Sequence, residues 1–310
     1  MKISVVVATY NGEEFIKDQL QSIVNQSVRP DEIVITDDGS SDQTLDILHD
    51  FSKNMSDDIK VRIISNNSEH GFVKNFLNGI FNSTGDIVFL SDQDDIWKKN
   101  KINEHLSIYK HHSDAVAIHG EIDVVDRNLN ILNAGTQRYR YTGKWDFNHF
   151  MKKPNYPGMS LSFKAGKVTD KLKEIDGLRW EIRTHDFLIV LIAEILNGLY
   201  VTKQVLNFRR FTGHNVALKG HKDPLTIKKR ISSVETFIYQ YKLSKETFEL
   251  ILGDNKRINE ISKYELVQAK RLLFLKTGNI KYLTYLFFHI NLLSSYKPIL
   301  GDTLSFLRKG

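Results

Sequence analysis

The 310-residue chain is long enough for one large domain, or for one domain with a smaller appendage. Apolar residues make up 41% of the chain and charged residues 26%, a balance that excludes an intrinsically disordered protein. Cysteine is absent, which excludes disulfides and thiolate metal ligands and favours an intracellular location.

The net charge of +6 is unevenly distributed. Residues 216–310 contain 17 Lys and Arg against 8 Asp and Glu, whereas the first 215 residues contain 26 against 29. We therefore expect a domain over 1–215 and a basic C-terminal region over 216–310. The basic charge belongs either to ordinary solvated helix faces or to a surface that binds an anionic membrane.

The first hundred residues alternate between strand and helix patterns. Nearly continuous apolar runs predict strands at 3–10, 32–38, 61–65 and 86–92. Apolar residues at helical spacing predict helices between them, the third over 72–81 with Phe72 on its buried face. Such alternation is typical of a mostly parallel sheet flanked by helices. The N-terminus is therefore interpreted as a first strand and not as a signal peptide.

The later part of the chain is less regular. Strands are expected within 114–126 and 158–163 and at 200–211, with a loop over the site at 136–147. Residues 186–196 are apolar nearly all round, which predicts a buried helix. After Pro224 the pattern is helical, with a break at 253–255. Its longest apolar stretch, 282–293, is shorter than the roughly 20 residues of a membrane span.

Polar residues follow three of the predicted parallel strands. Residues 9–11 end the first strand, Asp37 and Asp38 end the second, and residues 92–95 end the fourth. Because the carboxyl ends of parallel strands meet at one edge, where such sheets bind ligands, these three clusters predict a site. No GxGxxG or GxxxxGK[ST] motif occurs, so neither a dinucleotide site nor a P-loop is supported.

The acidic stretch SDQDD at 91–95 suits a hard divalent cation. Asp92 and Asp94 lie two residues apart, with Asp95 adjacent, and carboxylates commonly link Mg²⁺ or Mn²⁺ to substrate phosphates. The structural alternative is that one aspartate caps a helix beginning near Trp97, which explains one carboxylate and not three.

The second cluster, Asp37 and Asp38, allows two interpretations. Before Gly39 and Ser40, a carboxylate can accept hydrogen bonds from a base or a ribose, or it can form an Asx-turn. The residues alone do not decide between them.

Five stretches together resemble a known family: VVVATYNG, PDEIVITDDGSSDQT, NNSEHGFVKNFLNGIFNSTGDIVFLSDQDDIW, THDFL and FRRFTGHN. In this order and spacing they resemble glycosyltransferase family 2, the inverting enzymes of GT-A fold, and among them bacterial rhamnosyltransferases. The resemblance covers residues 1 to about 215. It implies a Rossmann-like α/β domain with a mostly parallel mixed sheet, followed here by a C-terminal helical extension.

The resemblance also implies roles for individual residues. Asp92 and Asp94 would bind Mg²⁺ or Mn²⁺, with Asp95 and His214 as further candidate ligands. Asp186 would be the catalytic base, although its position alone favours a helix N-cap together with Thr184. The implied donor-binding residues are Thr9, Tyr10, Asn11, Asp37, Asp38, Lys74, Asn75, Asp92, Gln93, Arg209 and Arg210.

The expected activity is metal-dependent transfer of rhamnose from dTDP-rhamnose to a polyprenyl-diphosphate-linked glycan, in bacterial capsule or cell-wall synthesis. The alternatives are a UDP-hexose-dependent transferase and a catalytically silent carbohydrate-binding protein. The expected location is cytoplasmic, at the inner face of the membrane, with an anionic membrane surface as a partner of the basic region. A homo-oligomer is a further expectation, and nucleic acid is not an expected partner. The histidines His70, His119 and His185 and the aromatic residues Trp145, Tyr156 and Trp180 are expected to be structural.

Overall fold

The computed structural model describes residues 1–66, 70–134, 138–176, 184–212 and 226–307. The described helices and strands, in chain order, are β1 (Ile3–Thr9), α1 (Ile16–Val24), β2 (Glu32–Asp37), α2 (Thr44–Lys53), β3 (Lys60–Ser65), α3 (Phe72–Asn82), β4 (Ile87–Asp92), β5 (Ile96–Trp97), α4 (Lys101–His111), β6 (Ala117–Val125), β7 (Ile131–Ala134), β8 (Gly143–Lys144), α5 (Phe147–Lys152), β9 (Leu161–Lys164), α6 (Ala165–Asp176), α7 (His185–Ile195), β10 (Leu199–Arg210), α8 (Ile227–Leu252), α9 (Asn255–Thr277), α10 (Ile280–Phe288) and α11 (Lys297–Leu307).

The chain forms two compact units. Of the described residues, 1–144 and 156–212 belong to the first unit, and 145–155 and 226–307 to the second. From the sequence, residues 145–155 are expected to belong to the first domain. The structure groups them with the second unit, where the Tyr241 hydroxyl donates to the Met151 carbonyl at 2.6 Å.

The first unit is built on a mixed sheet in the order β3-β2-β1-β4-β9-β6-β10-β5, with β7 paired to β6 and β8 to β10. β1 runs parallel to β2 and to β4, whereas β9 is antiparallel to β4 and β6. Apolar residues of β1, β2 and β4 pack against α1, α2 and α4 in one buried cluster. This arrangement confirms the expected α/β class, with helices flanking a mixed sheet whose first half, β3-β2-β1-β4, is parallel.

The strand register aligns the polar strand ends. Thr9 pairs with Asp37 across β1 and β2, and Ala8 pairs with Asp92 across β1 and β4. The carboxyl ends of these three strands therefore lie at one edge, as predicted. The buried helix is also confirmed as α7, whose residues from Phe187 to Ile195 are all buried.

Three local predictions were wrong. No helix begins near Trp97, because Ile96 and Trp97 pair with β10 as a short strand, and α4 starts only at Lys101. Phe72 does not face the core, since it is 52% exposed at the first position of α3. The expected loop over 136–147 contains β8 and the first residue of α5.

The second unit is helical, and its predicted break is confirmed. α8 ends at Leu252, and Gly253, with φ 62°, is its C-cap. Asp254 caps α9 by accepting hydrogen bonds from the Lys256 and Arg257 amides at 3.0 and 3.2 Å. Glycine adopts the left-handed conformation with little steric strain, because it has no Cβ. Across the described ranges, no helix combines the length and the apolar character needed to cross a bilayer.

Candidate active site

Asp37 forms the turn that follows β2. Its Oδ1 accepts from the Gly39 and Ser40 amides at 3.1 and 2.8 Å, and its Oδ2 accepts from the Thr9 hydroxyl at 2.8 Å. This is the Asx-turn alternative, so both side chains are buried and bonded within the protein. These bonds shape the strand ends, and the binding of a nucleotide-sugar by Asp37 and Thr9 stays a prediction.

Asp38 is held differently. Its Oδ2 accepts from the Gly71 amide at 2.7 Å, and its Oδ1 accepts from the Asn66 side chain at 3.0 Å. The Nδ1 atom of His70 lies 3.2 Å from the same Oδ1. These contacts fix the carboxylate beside the first turn of α3, at the edge where β1, β2 and β4 end.

The end of β1 is tied to the neighbouring loops. The Gln93 side chain accepts from the Tyr10 amide at 2.8 Å and donates to the Tyr10 carbonyl at 2.9 Å. Asn11 accepts from the Ser41 amide at 2.8 Å. Gln93 thus orients the end of β1, and its predicted contact with a nucleotide-sugar stays a prediction. The Tyr10 side chain is 56% exposed.

The pair Lys74 and Asn75 lies on α3. Asn75 is buried and donates from its side chain to the Thr9 carbonyl at 3.1 Å, and its predicted contact with a nucleotide-sugar stays a prediction. Lys74 is half-buried in the same turn of the helix. The Asn75 bond holds the N-terminal half of α3 against the end of β1.

The acidic cluster lies at the end of β4. Asp92 and Asp94 are half-buried. Burial raises the pKa of Asp92, a shift that Arg209 and His185 oppose and Asp186 reinforces. Burial and the neighbouring charge of Asp92 raise the pKa of Asp94 to about 6. The ionised cluster is therefore electrostatically strained, and a bound cation would relieve that strain.

Asp95 is buried and faces β10. Its Oδ1 accepts from the Arg210 amide at 3.3 Å, while within the described part of the chain its Oδ2 has no hydrogen-bond partner. Burial, with Asp94 and Asp92 adding to it, raises its pKa well above the usual value. Its predicted alternative role as a helix cap is wrong, because α4 begins six residues later.

The two adjacent arginines at the end of β10 have different roles. Arg209 is half-buried, and its charge favours the ionised forms of four carboxyl groups, those of Asp92, Asp94, Asp95 and Asp186.

Arg210 is buried. Its guanidinium donates to the carbonyls of Arg127 at 2.6 Å and of Asp94 at 3.2 Å. These bonds give Arg210 a positioning role between β10 and the acidic stretch, and its contact with a diphosphate stays a prediction.

Asp186 lies in the first turn of α7 and not at the N-cap. Its Oδ1 accepts from the Phe187 amide at 2.7 Å, and burial raises its pKa to about 6 against the hydrogen bonds from neighbouring groups. Gly158 allows this close packing, because a Cβ there would lie 2.9 Å from the His185 Nε2 and 3.4 Å from the Asp186 Cβ. The charge of Asp186 raises the pKa of Asp92, so the start of α7 contributes to the electrostatics of the acidic strand end.

One residue near the cluster, Lys101, was missed from the sequence. Lys101 is buried, donates to the Met159 carbonyl at 2.6 Å and lies 3.5 Å from the centroid of the Trp97 ring. Its charge interacts with Asp95 and Asp92, while burial lowers its pKa well below the usual value. In the sequence it is one of three lysines within 98–101, and no pattern marks it as the buried one.

His185 was expected to be structural. It is buried and stacks on Phe76 with ring centroids 4.1 Å apart. Burial lowers its pKa to about 4, although the charge of Asp92 opposes that shift. Its position next to Asp186 is the signal that could have linked it to the site.

The residues at the end of β4 fit a divalent cation that is bound by two carboxylates together with water or substrate phosphates. Among the described residues, no group of three His, Asp or Glu side chains is arranged to hold a metal ion alone. Asp92 and Asp94 nevertheless form a half-buried, charge-strained carboxylate pair, and Mg²⁺ sites often use one or two carboxylates completed by water and substrate phosphates. His214, the other candidate ligand, lies outside the described residues.

Comparison with known proteins agrees with this geometry. Residues 4–170 match the model of the family described as Glycosyl transferase family 2. An uncharacterized glycosyltransferase of Nostoc sp. is 28% identical over 227 residues, which cover 69% of this chain and 66% of that protein. The dTDP-rhamnosyl transferase RfbG of Shigella flexneri is 40% identical over 99 residues, which cover 31% of this chain and 34% of RfbG.

Solved structures share the fold. Residues 1–349 of TarS from Staphylococcus aureus, in complex with UDP-GlcNAc, align with a TM-score of 0.61 at 17% identity, covering 100% of this chain and 92% of that one. A mannosyltransferase from Pyrobaculum calidifontis, in complex with GDP-Man and Mn²⁺, aligns with a TM-score of 0.56 at 16% identity, covering 99% and 84%. The chain spans about two thirds or less of the length of the curated relatives it matches. Since the family match includes more than half of the chain, the protein belongs to glycosyl transferase family 2.

Proposed function

We propose that this protein is a metal-dependent inverting glycosyltransferase that moves a sugar from a nucleotide-sugar to a hydroxyl of a glycan acceptor. The observation that carries the proposal is the strand register, which brings the ends of β1, β2 and β4 to one edge of the sheet with the half-buried pair Asp92 and Asp94 there. Buried carboxylates with raised pKa values, gathered at a sheet edge, are typical of catalytic sites.

Asp92 and Asp94 would hold Mg²⁺ or Mn²⁺ together with the diphosphate of the donor. When bound, the cation stabilises negative charge on the departing diphosphate. Arg209 contributes positive charge from β10 to the same end. Tyr10, with its exposed ring, and Asp38 would contact the nucleoside, and Lys74 on α3 would approach the base or the phosphates.

Asp186 is the proposed general base. A sugar hydroxyl is a weak nucleophile, so a carboxylate must accept its proton as the acceptor oxygen bonds to the anomeric carbon. The bond from that carbon to the diphosphate oxygen breaks in the same step, which inverts the anomeric configuration. With a pKa of about 6, Asp186 is largely ionised at pH 7 and is more basic than an ordinary aspartate.

For the donor we favour dTDP-rhamnose. The support is the 40% identity to RfbG, a dTDP-rhamnosyl transferase. A UDP-hexose is the second candidate, because the similar fold of TarS is seen with UDP-GlcNAc. We further propose a polyprenyl-diphosphate-linked acceptor in bacterial cell-surface polysaccharide synthesis, and a cytoplasmic location at the inner face of the membrane.

The test is a panel of UDP-, dTDP- and GDP-sugars incubated with the full chain and Mn²⁺, with release of the nucleoside diphosphate as the readout. The proposal predicts turnover of at least one donor and its loss when EDTA is added. Donor binding without turnover, with any acceptor supplied, would instead support the catalytically silent carbohydrate-binding alternative. Equal turnover in EDTA would remove the metal from the proposal.

A further inference from the structure

The last two helices of the second unit have distinct inner and outer faces. On the inner face, Leu286 of α10 and Ile299 of α11 are buried with Val267 and Leu293 in a small apolar cluster. The outer faces are also apolar, although they are exposed to solvent. An ordinary surface helix is polar on that side.

The outer faces follow helical spacing. On α10, Ile280, Thr284 and Phe287 lie at i, i+4 and i+7, with Phe288 beside them, and Ile280 and Phe288 are 73% and 81% exposed. On α11, Leu300, Leu304 and Leu307 repeat the same spacing, and Leu307 is 70% exposed. We define the α10–α11 apolar surface as Ile280, Phe287, Phe288, Ile290, Tyr296, Leu300, Leu304 and Leu307, all of them exposed.

The rotation of α11 that exposes these leucines is fixed from within. Asp302, on the opposite face, is fully buried and accepts from the Arg271 guanidinium at 2.9 and 3.2 Å and from that of Arg230 at 3.1 Å. Phe306 packs against Gly278, which has φ 68° and leaves no room for a Cβ. Turning the leucines inward would therefore break a buried ionic network and a close aromatic contact.

The positive charge around this surface favours a negatively charged binding partner. From residue 278 to 307 the sequence contains one acidic residue, the buried and paired Asp302, whereas Lys281 and Lys297 are exposed. A second copy of the chain would bring like charges together. An anionic bilayer supplies an apolar layer for the leucines and phenylalanines and negative head groups for the lysines.

We propose that the α10–α11 apolar surface inserts into the interface of an anionic membrane, with Lys281 and Lys297 at the level of the head groups. Insertion of apolar side chains dominates and the lysines add selectivity for negative lipids. This extends the expectation from composition, which ascribed membrane binding to the basic charge of the whole C-terminal region. The binding needs no nucleotide-sugar, so it can be tested separately from sugar transfer.

The test is co-flotation of the full chain with vesicles of phosphatidylcholine alone or mixed with phosphatidylglycerol, without donor. We expect binding to the mixed vesicles and a loss of about tenfold in affinity for each leucine changed in Leu300→Glu and Leu304→Glu. Leu250→Glu is the matched control, since Leu250 is an exposed leucine of α8 outside the surface and its substitution should leave binding unchanged.

A second pair of variants addresses charge without touching the apolar face. Lys281→Gln and Lys297→Gln should each weaken binding to mixed vesicles by about fivefold, while leaving the thermal midpoint unchanged. Failure of the wild-type chain to float with mixed vesicles would overturn the proposal. So would a Leu300→Glu variant that floats normally, or one that loses an oligomer in sedimentation, because a second copy would then be the occupant.

Discussion

The two units bury acidic side chains in opposite ways. In the second unit, Asp302 is fully buried and two arginines donate to it through three hydrogen bonds. In the first unit, three carboxylates lie within four residues, and burial raises the pKa of each. In the helical second unit, arginine side chains neutralise the buried aspartate. At the proposed binding site of the first unit, the carboxylates retain an excess of negative charge, which a bound cation would neutralise.

The largest expected effect comes from removing the proposed base. Asp186→Asn keeps the size of the side chain and removes its basicity, so the rate of transfer should fall by about 10²–10⁴-fold, the range typical of general bases. Initial rates at saturating donor provide the measurement. The control is Asp170→Asn on α6, a carboxyl group exposed to solvent, which should transfer at the wild-type rate. Full activity of Asp186→Asn would contradict the assignment.

The positive charge of Lys101 offsets part of the negative charge of the acidic cluster, and a substitution can remove it. Lys101→Met removes the buried amine whose charge interacts with Asp95 and Asp92, and it removes one of the two donors to the Met159 carbonyl, the other being the Asn207 side chain. We expect the free energy of unfolding to fall by about 1.5–3 kcal/mol, the range for losing a buried hydrogen bond from a charged group. Urea denaturation measures it. Lys99→Met, at an exposed position, is the matched control and should change stability by no more than about 0.5 kcal/mol.

The raised pKa of Asp186 predicts the pH dependence of transfer. The carboxylate must be ionised to accept a proton, so kcat/KM should be constant near pH 8 and fall below about pH 6 as Asp186 is protonated. One pH unit below that value the loss should be about tenfold. Asp94, whose pKa is also raised to about 6, shifts metal binding in the same direction. Measuring nucleotide affinity over the same range separates the two groups, and a profile flat down to pH 5 would exclude Asp186 as the base.

The smallest expected effect is in the second unit. Asp254→Ala removes the side chain that caps α9 through the Lys256 and Arg257 amides. We expect a loss of about 1 kcal/mol in unfolding free energy and no change in nucleotide affinity. Asp254→Asn, which retains an acceptor oxygen, should restore most of the stability. A change in nucleotide affinity in either variant would contradict the assignment of nucleotide binding to residues of the first unit.

Local patterns predicted most of the fold of the first unit because its strands and helices alternate, with Val and Ile filling β1, β2 and β4. The convergence of the strand ends followed from parallel pairing. Long-range contacts could not be read in this way. Residues 145–155 join the second unit through hydrogen bonds such as that from the Tyr241 hydroxyl, which comes from about 90 residues away along the chain.

The candidate site shows the same limit. The sequence identified which polar residues lie at the strand ends, and it could not separate those that shape the edge from those that face a ligand. Asp37 and Asp38 are neighbours in the sequence, yet Asp37 accepts from the Ser40 amide of its own turn, whereas Asp38 accepts from the Gly71 amide, 33 residues away. Lys101 was missed because its burial depends on Trp97 and on the Met159 carbonyl, far apart in sequence.

The most direct test of the central claim is calorimetric titration of the wild-type chain and Asp94→Ala with UDP and with dTDP, each with Mn²⁺ and with EDTA. The account predicts that Mn²⁺ strengthens nucleotide binding to the wild type by about tenfold or more, and that Asp94→Ala binds as weakly in Mn²⁺ as the wild type does in EDTA. Asp50→Ala, at an exposed position of α2, should behave as the wild type. Nucleotide affinity that is the same in Mn²⁺ and in EDTA would contradict the claim that the acidic strand end binds a cation and a diphosphate together.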